Sequence, residues 1–142
     1  MLDDTATLWE LIARRADATP DRLMLVDGDR TTTFAQYRDL VERAAAGWAV
    51  EYGIGAGSRV SWQLPTWTES AVLVGALARL GAVQNPMLPI YRYREVSFIS
   101  KQTGCKLLIT PSVDYVTPVS AYLTEDLESK LRIEAMFEHL GE

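Results

Sequence analysis

The sequence predicts an α/β fold: an amino-terminal helix and β-hairpin, a βαβαβ parallel-sheet unit, and a carboxyl-terminal helix. Three observations predict it. Short apolar runs at 60–64, 82–85 and 106–110 are each closed by a proline, Pro65, Pro86 or Pro111. Two helix-like segments, 67–80 and 94–103, stand between those runs and end at Gly81 and Gly104. Strand and helix alternating over about fifty residues is the pattern of a parallel sheet with right-handed crossovers.

The first helix opens at Thr7, whose hydroxyl can accept the Glu10 amide while Glu10 reaches back. Its stripe is expected to bury Leu8, Leu11 and Ile12, with Arg14 and Arg15 near the negative end. Ala18-Thr19-Pro20 ends it. The runs 23–26 and 30–33 flank Asp27-Gly28, a hairpin signal because glycine adopts positive φ freely. Thr33 and Gln36 repeat the capping-box spacing, and Tyr37, Leu40, Val41, Ala44, Ala45, Trp48 and Ala49 follow as one stripe ended by Gly53.

Gly53-Ile54-Gly55-Ala56-Gly57 imitates a phosphate-binding loop, but such a loop follows a strand and opens a helix. Here the order is reversed, so these glycines read as a connector. Thr66 and Glu69 offer a third capping box. The helix they open is apolar nearly all round, which calls for protein on more than one side and hence for a larger body than this chain supplies. In the helix at 94–103, Val96, Ile99 and Phe98 are assigned inward.

Composition excludes several function classes. With 142 residues, 48% apolar and 23% charged, the chain is an ordinary globular one. Its 14 bases against 19 acids give a net charge of −5, which argues against nucleic-acid binding. The longest apolar run, 71–78, is far short of the roughly 20 residues a membrane span needs. The acidic Met1-Leu2-Asp3-Asp4 start does not read as an export signal, so a cytoplasmic setting is expected. One cysteine and one histidine cannot make an internal disulfide or a metal cluster. The charge excess sits wholly at 113–142, where Lys130 and Arg132 face seven acids. That shift divides the chain into a domain at 1–112 and an acidic tail at 113–142, the tail read as an amphipathic helix from Thr124 through His139.

Three segments together carry a family resemblance. Thr33-Phe34-Ala35-Gln36-Tyr37 resembles the (T/S)-(F/Y)-x-(E/Q)-(L/Y) helix opening of AMP-forming acyl-CoA synthetases and other adenylate-forming ligases. Gly57-Ser58-Arg59-Val60, leading into Leu64-Pro65-Thr66, is similar to their G-D-R-V strand and L-P-N turn. The block from Ala76 through Gly81-Ala82-Val83, Pro86 and Pro89 resembles their A-x-x-x-x-G-A-V-x-x-P-x-x-P pattern, and its Pro89-Ile90-Tyr91-Arg92 ending points to the fatty-acyl-CoA ligase branch. The resemblance runs from about Thr7 to Ser112 and implies part of the ligase amino-terminal domain.

It also implies ATP, Mg²⁺ and CoA as cofactors of the complete enzyme, and a carboxylic or fatty acid as substrate. Activation proceeds through an acyl-adenylate, whose developing charge demands phosphate ligands and metal. The family's Ser/Thr/Gly-rich loop ending in lysine does not occur here; the lysines are Lys101, Lys106 and Lys130. The aromatic-Gly-x-Thr-Glu pattern does not occur either. No catalytic, cofactor-binding or metal residue of the family is therefore carried onto this sequence, and the chain alone is expected to be inactive. Two other readings stay open: a module that completes or regulates a separate ligase chain, with self-association as a variant, or a small nucleotide- or acyl-binding domain.

Individual residues read blandly. Cys105 is expected to be a buried, inert thiol. His139 near a helix end suits the dipole there. Arg92 and Arg94 read as a solvated helix start more readily than as phosphate ligands. Thr66, between a strand's carboxyl end and a helix's amino end, is a geometric candidate for an anion site. Trp62 and Trp67 are assigned to packing rather than base stacking.

Overall fold

A computed structural model of the chain describes residues 7–110 and the strand at 132–135. The elements run α1 (Leu8–Ala18), β1 (Leu23–Asp27), β2 (Arg30–Thr33), α2 (Phe34–Tyr52), β3 (Arg59–Trp62), α3 (Thr68–Arg79), β4 (Val83–Pro86), α4 (Tyr93–Thr103), β5 (Leu107–Thr110) and β6 (Arg132–Ala135). They fall into two compact units. The first holds α1, the hairpin, α2 and α3; the second holds β3, β4, α4, β5 and β6.

In the first unit both expected capping boxes form. The Thr7 hydroxyl accepts the Glu10 amide at 3.1 Å, and the Thr33 hydroxyl accepts the Gln36 amide at 3.2 Å. β1 and β2 pair antiparallel with Asp27 opposite Arg30, leaving a two-residue turn that Gly28 enters at φ 60°. The core joins Ile12 of α1 to Tyr37, Val41 and Ala45 of α2 and to Val72 and Ala76 of α3. Each such aliphatic side chain removed from water contributes about 1.5–3 kcal/mol for the larger ones.

α1 is rotated from its expected setting. Leu8 and Leu11 remain 47% and 43% exposed, while Ile12 and Ala16 are buried and Trp9 is half-buried against the core. The inward stripe is therefore Trp9–Ile12–Ala16, and the Arg79 guanidinium lies 5.1 Å from the Trp9 ring centroid, covering its other face. On α3, Leu73 and Leu77 are as inaccessible as Val72 and Ala76, so this helix buries more than one stripe, as its composition requires.

The second unit is a parallel sheet in the order β4-β3-β5-β6. β3 pairs with β4 from Arg59↔Val83 to Trp62↔Pro86, and with β5 from Val60↔Leu107 to Trp62↔Ile109. All four β5 residues are buried, the mark of a central strand. Below it Met87, Val96, Cys105 and Leu108 form a cluster joined by Tyr91 and Ile99. Phe98, assigned inward from the sequence, is 64% exposed: Val96, Ser97 and Ser100 occupy the buried face of α4, and Phe98 lies on the other.

The tail also departs from its expected helix. Arg132–Ala135 is a strand pairing parallel to β5, with Leu107↔Arg132 through Thr110↔Ala135 in register. Its Arg-Ile-Glu-Ala order alternates, so backbone pairing along an open sheet edge satisfies it as well as a helix would. The rest of that expected helix, His139 included, lies outside the described residues.

Candidate functional site

Two constellations concentrate the polar chemistry of the described residues, one in each unit. In the first unit the hairpin closes over the start of α3. The Asp27 carboxylate accepts from the Thr68 amide and the Thr68 hydroxyl, both at 3.2 Å. Arg30 donates to Asp27 at 2.8 Å and forks onto Glu69 at 2.8 and 3.3 Å. Arg30 and the Thr68 amide hold the Asp27 carboxyl below the usual range, and Arg30 does the same for Glu69. The guanidinium is shifted upward in return.

This arrangement corrects the third capping box. Thr66 is exposed and outside α3, whose N-cap is Trp67 with no side-chain cap bond. An ionised carboxylate from another element takes the place a local hydroxyl was expected to fill, and charge-assisted bonds are the stronger kind. It also bears on Thr66 as an anion candidate. The amide at this helix start already faces the chain's own anion, and Glu69 adds a second negative charge in the first turn.

In the second unit Gln63, 3% exposed, follows β3 and reaches across to the loop after β4. Its side-chain amide donates to the Leu88 carbonyl at 2.7 Å and the Tyr91 carbonyl at 2.9 Å. The Met87 amide donates to the Trp62 carbonyl at 2.8 Å, extending the sheet ladder by one bond. Arg92 folds back, donating to the Pro89 and Tyr91 carbonyls at 2.9 and 3.1 Å. Glu95 accepts the Arg92 amide at 3.2 Å, and its carboxyl is held low by its own backbone amide and then by that of Arg92.

Of the residues weighed singly, Cys105 is a free thiol and buried. Trp62 is half-buried with its indole nitrogen closed off from solvent, and Trp67 is half-buried at the α3 cap. Arg94 is exposed and lines an open hollow with Glu95 and Phe98. Gly53 caps α2 in the left-handed conformation at φ 60°, and the glycine run that follows leads into β3 as a connector.

Sequence reading missed the Asp27–Arg30–Glu69 network and Gln63. Asp27 was legible as a turn residue and Glu69 as a first-turn acid. Their meeting across about forty positions carries no local signal.

Two of the groups weighed as phosphate ligands are engaged within the chain. The α3 amide is matched to a carboxylate, and the Arg92 guanidinium to main-chain carbonyls. Among the described residues no group of three His, Cys, Asp or Glu could hold a metal ion. What the two constellations can do is hold loops and helix ends in place.

The geometry is that of the opening segment of an adenylate-forming ligase domain. The AMP-binding enzyme family matches residues 12–139, and the chain belongs to that family. The match continues past Ser112, where the residue-by-residue resemblance ends. The medium-chain fatty-acid–CoA ligase of Escherichia coli is 29% identical over 127 residues, 84% of this chain and 22% of that ligase. The 4-coumarate–CoA ligase 2 of Oryza sativa is 38% identical over 108 residues, covering 75% of this chain and 19% of the relative. A fatty acyl CoA synthetase structure from Mycobacterium tuberculosis superimposes with a TM-score of 0.81 at 27% identity, covering 91% of this chain and 26% of that one. The chain thus spans about a fifth to a quarter of the proteins it matches here. No described helix is long and apolar enough to cross a membrane.

Proposed function

We propose that this chain is the amino-terminal scaffold portion of an ATP-dependent acyl-CoA synthetase and that, by itself, it forms no acyl-adenylate. One observation carries the reading: a parallel β4-β3-β5 sheet with its family match, in a chain corresponding to 22% of a fatty-acid–CoA ligase. In the complete enzyme a carboxylate attacks ATP to give an acyl-adenylate and pyrophosphate, and CoA then displaces AMP. That chemistry needs positioned phosphate ligands and Mg²⁺. The polar groups described above are engaged within the scaffold instead. Its contribution is to supply the sheet and helices on which the rest of a ligase is built.

The test is ATP–pyrophosphate exchange with a panel of fatty and aromatic acids. Purified chain is expected to give no exchange above blank. Exchange that follows the protein through two chromatographic steps, free of contaminating ligase, refutes the reading.

A further inference from the structure

The hairpin of the first unit is fastened at two points by different chemistry. At its base the bonds are main-chain: the Phe34 amide donates to the Arg22 carbonyl at 3.0 Å and the Ala35 amide to the Pro20 carbonyl at 3.1 Å. Thr32 is buried near that end, and Met24 and Leu25 pack against the core. At the tip, residues 28–31 are exposed and two ionised side chains reach α3. Asp27 accepts from the Thr68 amide and hydroxyl, and Arg30 forks onto Glu69. The Arg30 side chain is 60% exposed and that of Asp27 33%, so water and ions have access to both. Main-chain bonds and apolar packing carry no charge to titrate or screen, whereas charge-assisted bonds between accessible groups weaken with both.

We propose that the hairpin tip is a strap that acid or salt releases from the start of α3 while the base of the hairpin stays fastened. The charges at the tip come from two elements: Asp27, Arg30 and the neighbouring Asp29 from the hairpin, and Glu69 from α3. The helices packed nearby hold their own cations elsewhere. Arg38 of α2 pairs with Asp17 and Asp39, and Arg15 of α1 lies over the Phe34 ring. Trp67, the N-cap of α3, makes no side-chain cap bond, so the Asp27 carboxylate is what closes the first turn there. Release of the tip therefore uncaps α3, and the hairpin turn and the first turn of α3 form one two-state element. Both carboxyls are held low in the folded chain, so the strap is closed at neutral pH and opens as pH falls through their depressed values, below the ordinary carboxylate range. Salt opens it at neutral pH by screening the same charges.

The test is amide hydrogen exchange on the full 142-residue chain, followed by NMR and expressed as protection factors. It is run over an acid pH series and, at neutral pH, from about 0.1 to about 1 M sodium chloride, where the screening length falls from about 10 to about 3 Å. The Thr68 amide reports the tip; the Phe34 and Ala35 amides report the base. Thr68 protection is expected to fall about fivefold, the size of a lost helix cap, while Phe34 and Ala35 hold within about twofold. Asp27→Asn with Glu69→Gln removes both negative charges of the link. Its Thr68 amide should start at the released value and respond to neither salt nor acid, with the base amides showing that the chain is folded. Glu69→Gln alone leaves one charged link and should give a smaller salt response. Asp39→Asn, outside the cluster, should leave the response unchanged.

Equal loss of protection at Thr68, Phe34 and Ala35 would mean that the hairpin leaves as one piece, and it overturns the strap. Thr68 protection that ignores salt and acid overturns it as well. So does a folded Asp27→Asn/Glu69→Gln or Glu69→Gln chain whose response matches that of the unsubstituted one.

Discussion

Gly75→Ala should destabilise the first unit, against the direction helix propensity alone predicts. A Cβ at Gly75 would stand 2.6 Å from Val41 Cγ2 and 2.7 Å from the Tyr37 hydroxyl oxygen. Ordinary contact between carbons is about 3.5–4.0 Å, so the overlap with Val41 is roughly 1 Å. Neither neighbour yields easily. Val41 is fully buried and β-branched, with essentially one rotamer in a helix. Tyr37 is tied down because its hydroxyl donates to the Ala71 carbonyl at 2.7 Å. Overpacking costs about 1–3 kcal/mol, and weakening the tyrosine bond up to about 1 kcal/mol more. Alanine's better helix propensity returns about 1 kcal/mol. The balance is a loss of about 2 kcal/mol, or a fall in melting temperature of roughly 4–8 °C for a chain of this size. Urea and thermal unfolding followed by circular dichroism measure it. Adding Val41→Ala removes the obstructing methyl, so the pair should couple favourably by about 1 kcal/mol. If Gly75→Ala is as stable as the unsubstituted chain or more so, α2 and α3 do not approach as described and the reasoning fails.

Further expectations concern the polar contacts. Burial raises the Tyr37 phenol from 10.0 to about 12. The unfolded phenol ionises first, so stability is intact below about pH 10 and falls as pH rises towards 12. Tyr37→Phe should remove that component of the alkaline loss while costing about 1 kcal/mol at neutral pH; identical alkaline limbs for both proteins would contradict the assigned burial. Asp27 and Glu69 are held low in the folded chain, so their contribution is present above the usual carboxylate range and lost as pH falls through their depressed values. Asp27→Asn should flatten the acid limb of an unfolding curve, and an unchanged limb would show that the hairpin does not cap α3. Gln63→Ala should cost about 2 kcal/mol through two lost amide bonds and the space left behind, and should speed hydrogen exchange in the Met87–Arg92 loop. Unaltered exchange there would show that the loop holds itself.

Local order was readable from the chain alone because its signals are local. Thr7-x-x-Glu10 and Thr33-x-x-Gln36 close bonds over three residues, and Gly53 and Gly104 stop helices by adopting φ near 60°. Strands bounded by prolines, with helices between them, define a parallel sheet before any coordinate is known. The α2 stripe followed from periodicity for the same reason. Periodicity locates a helix better than it locates the helix's contact line, however. Leu8, Leu11 and Phe98 are apolar residues at plausible spacings that remain exposed, because the packing partner sets the rotation of each helix.

The sequence by itself therefore determined the order and class of the elements from α1 to β5 and the family to which they belong. It could not reveal that Asp27 caps a helix starting at Thr68, that Gln63 holds the Leu88 and Tyr91 carbonyls, or that Gly75 leaves room for Tyr37 and Val41. Nor could it show that Arg132–Ala135 continues the sheet beside β5 instead of coiling. Each of these joins residues tens of positions apart, and such a pairing depends on the path of the whole chain, whereas caps, turns and stripes depend only on neighbours.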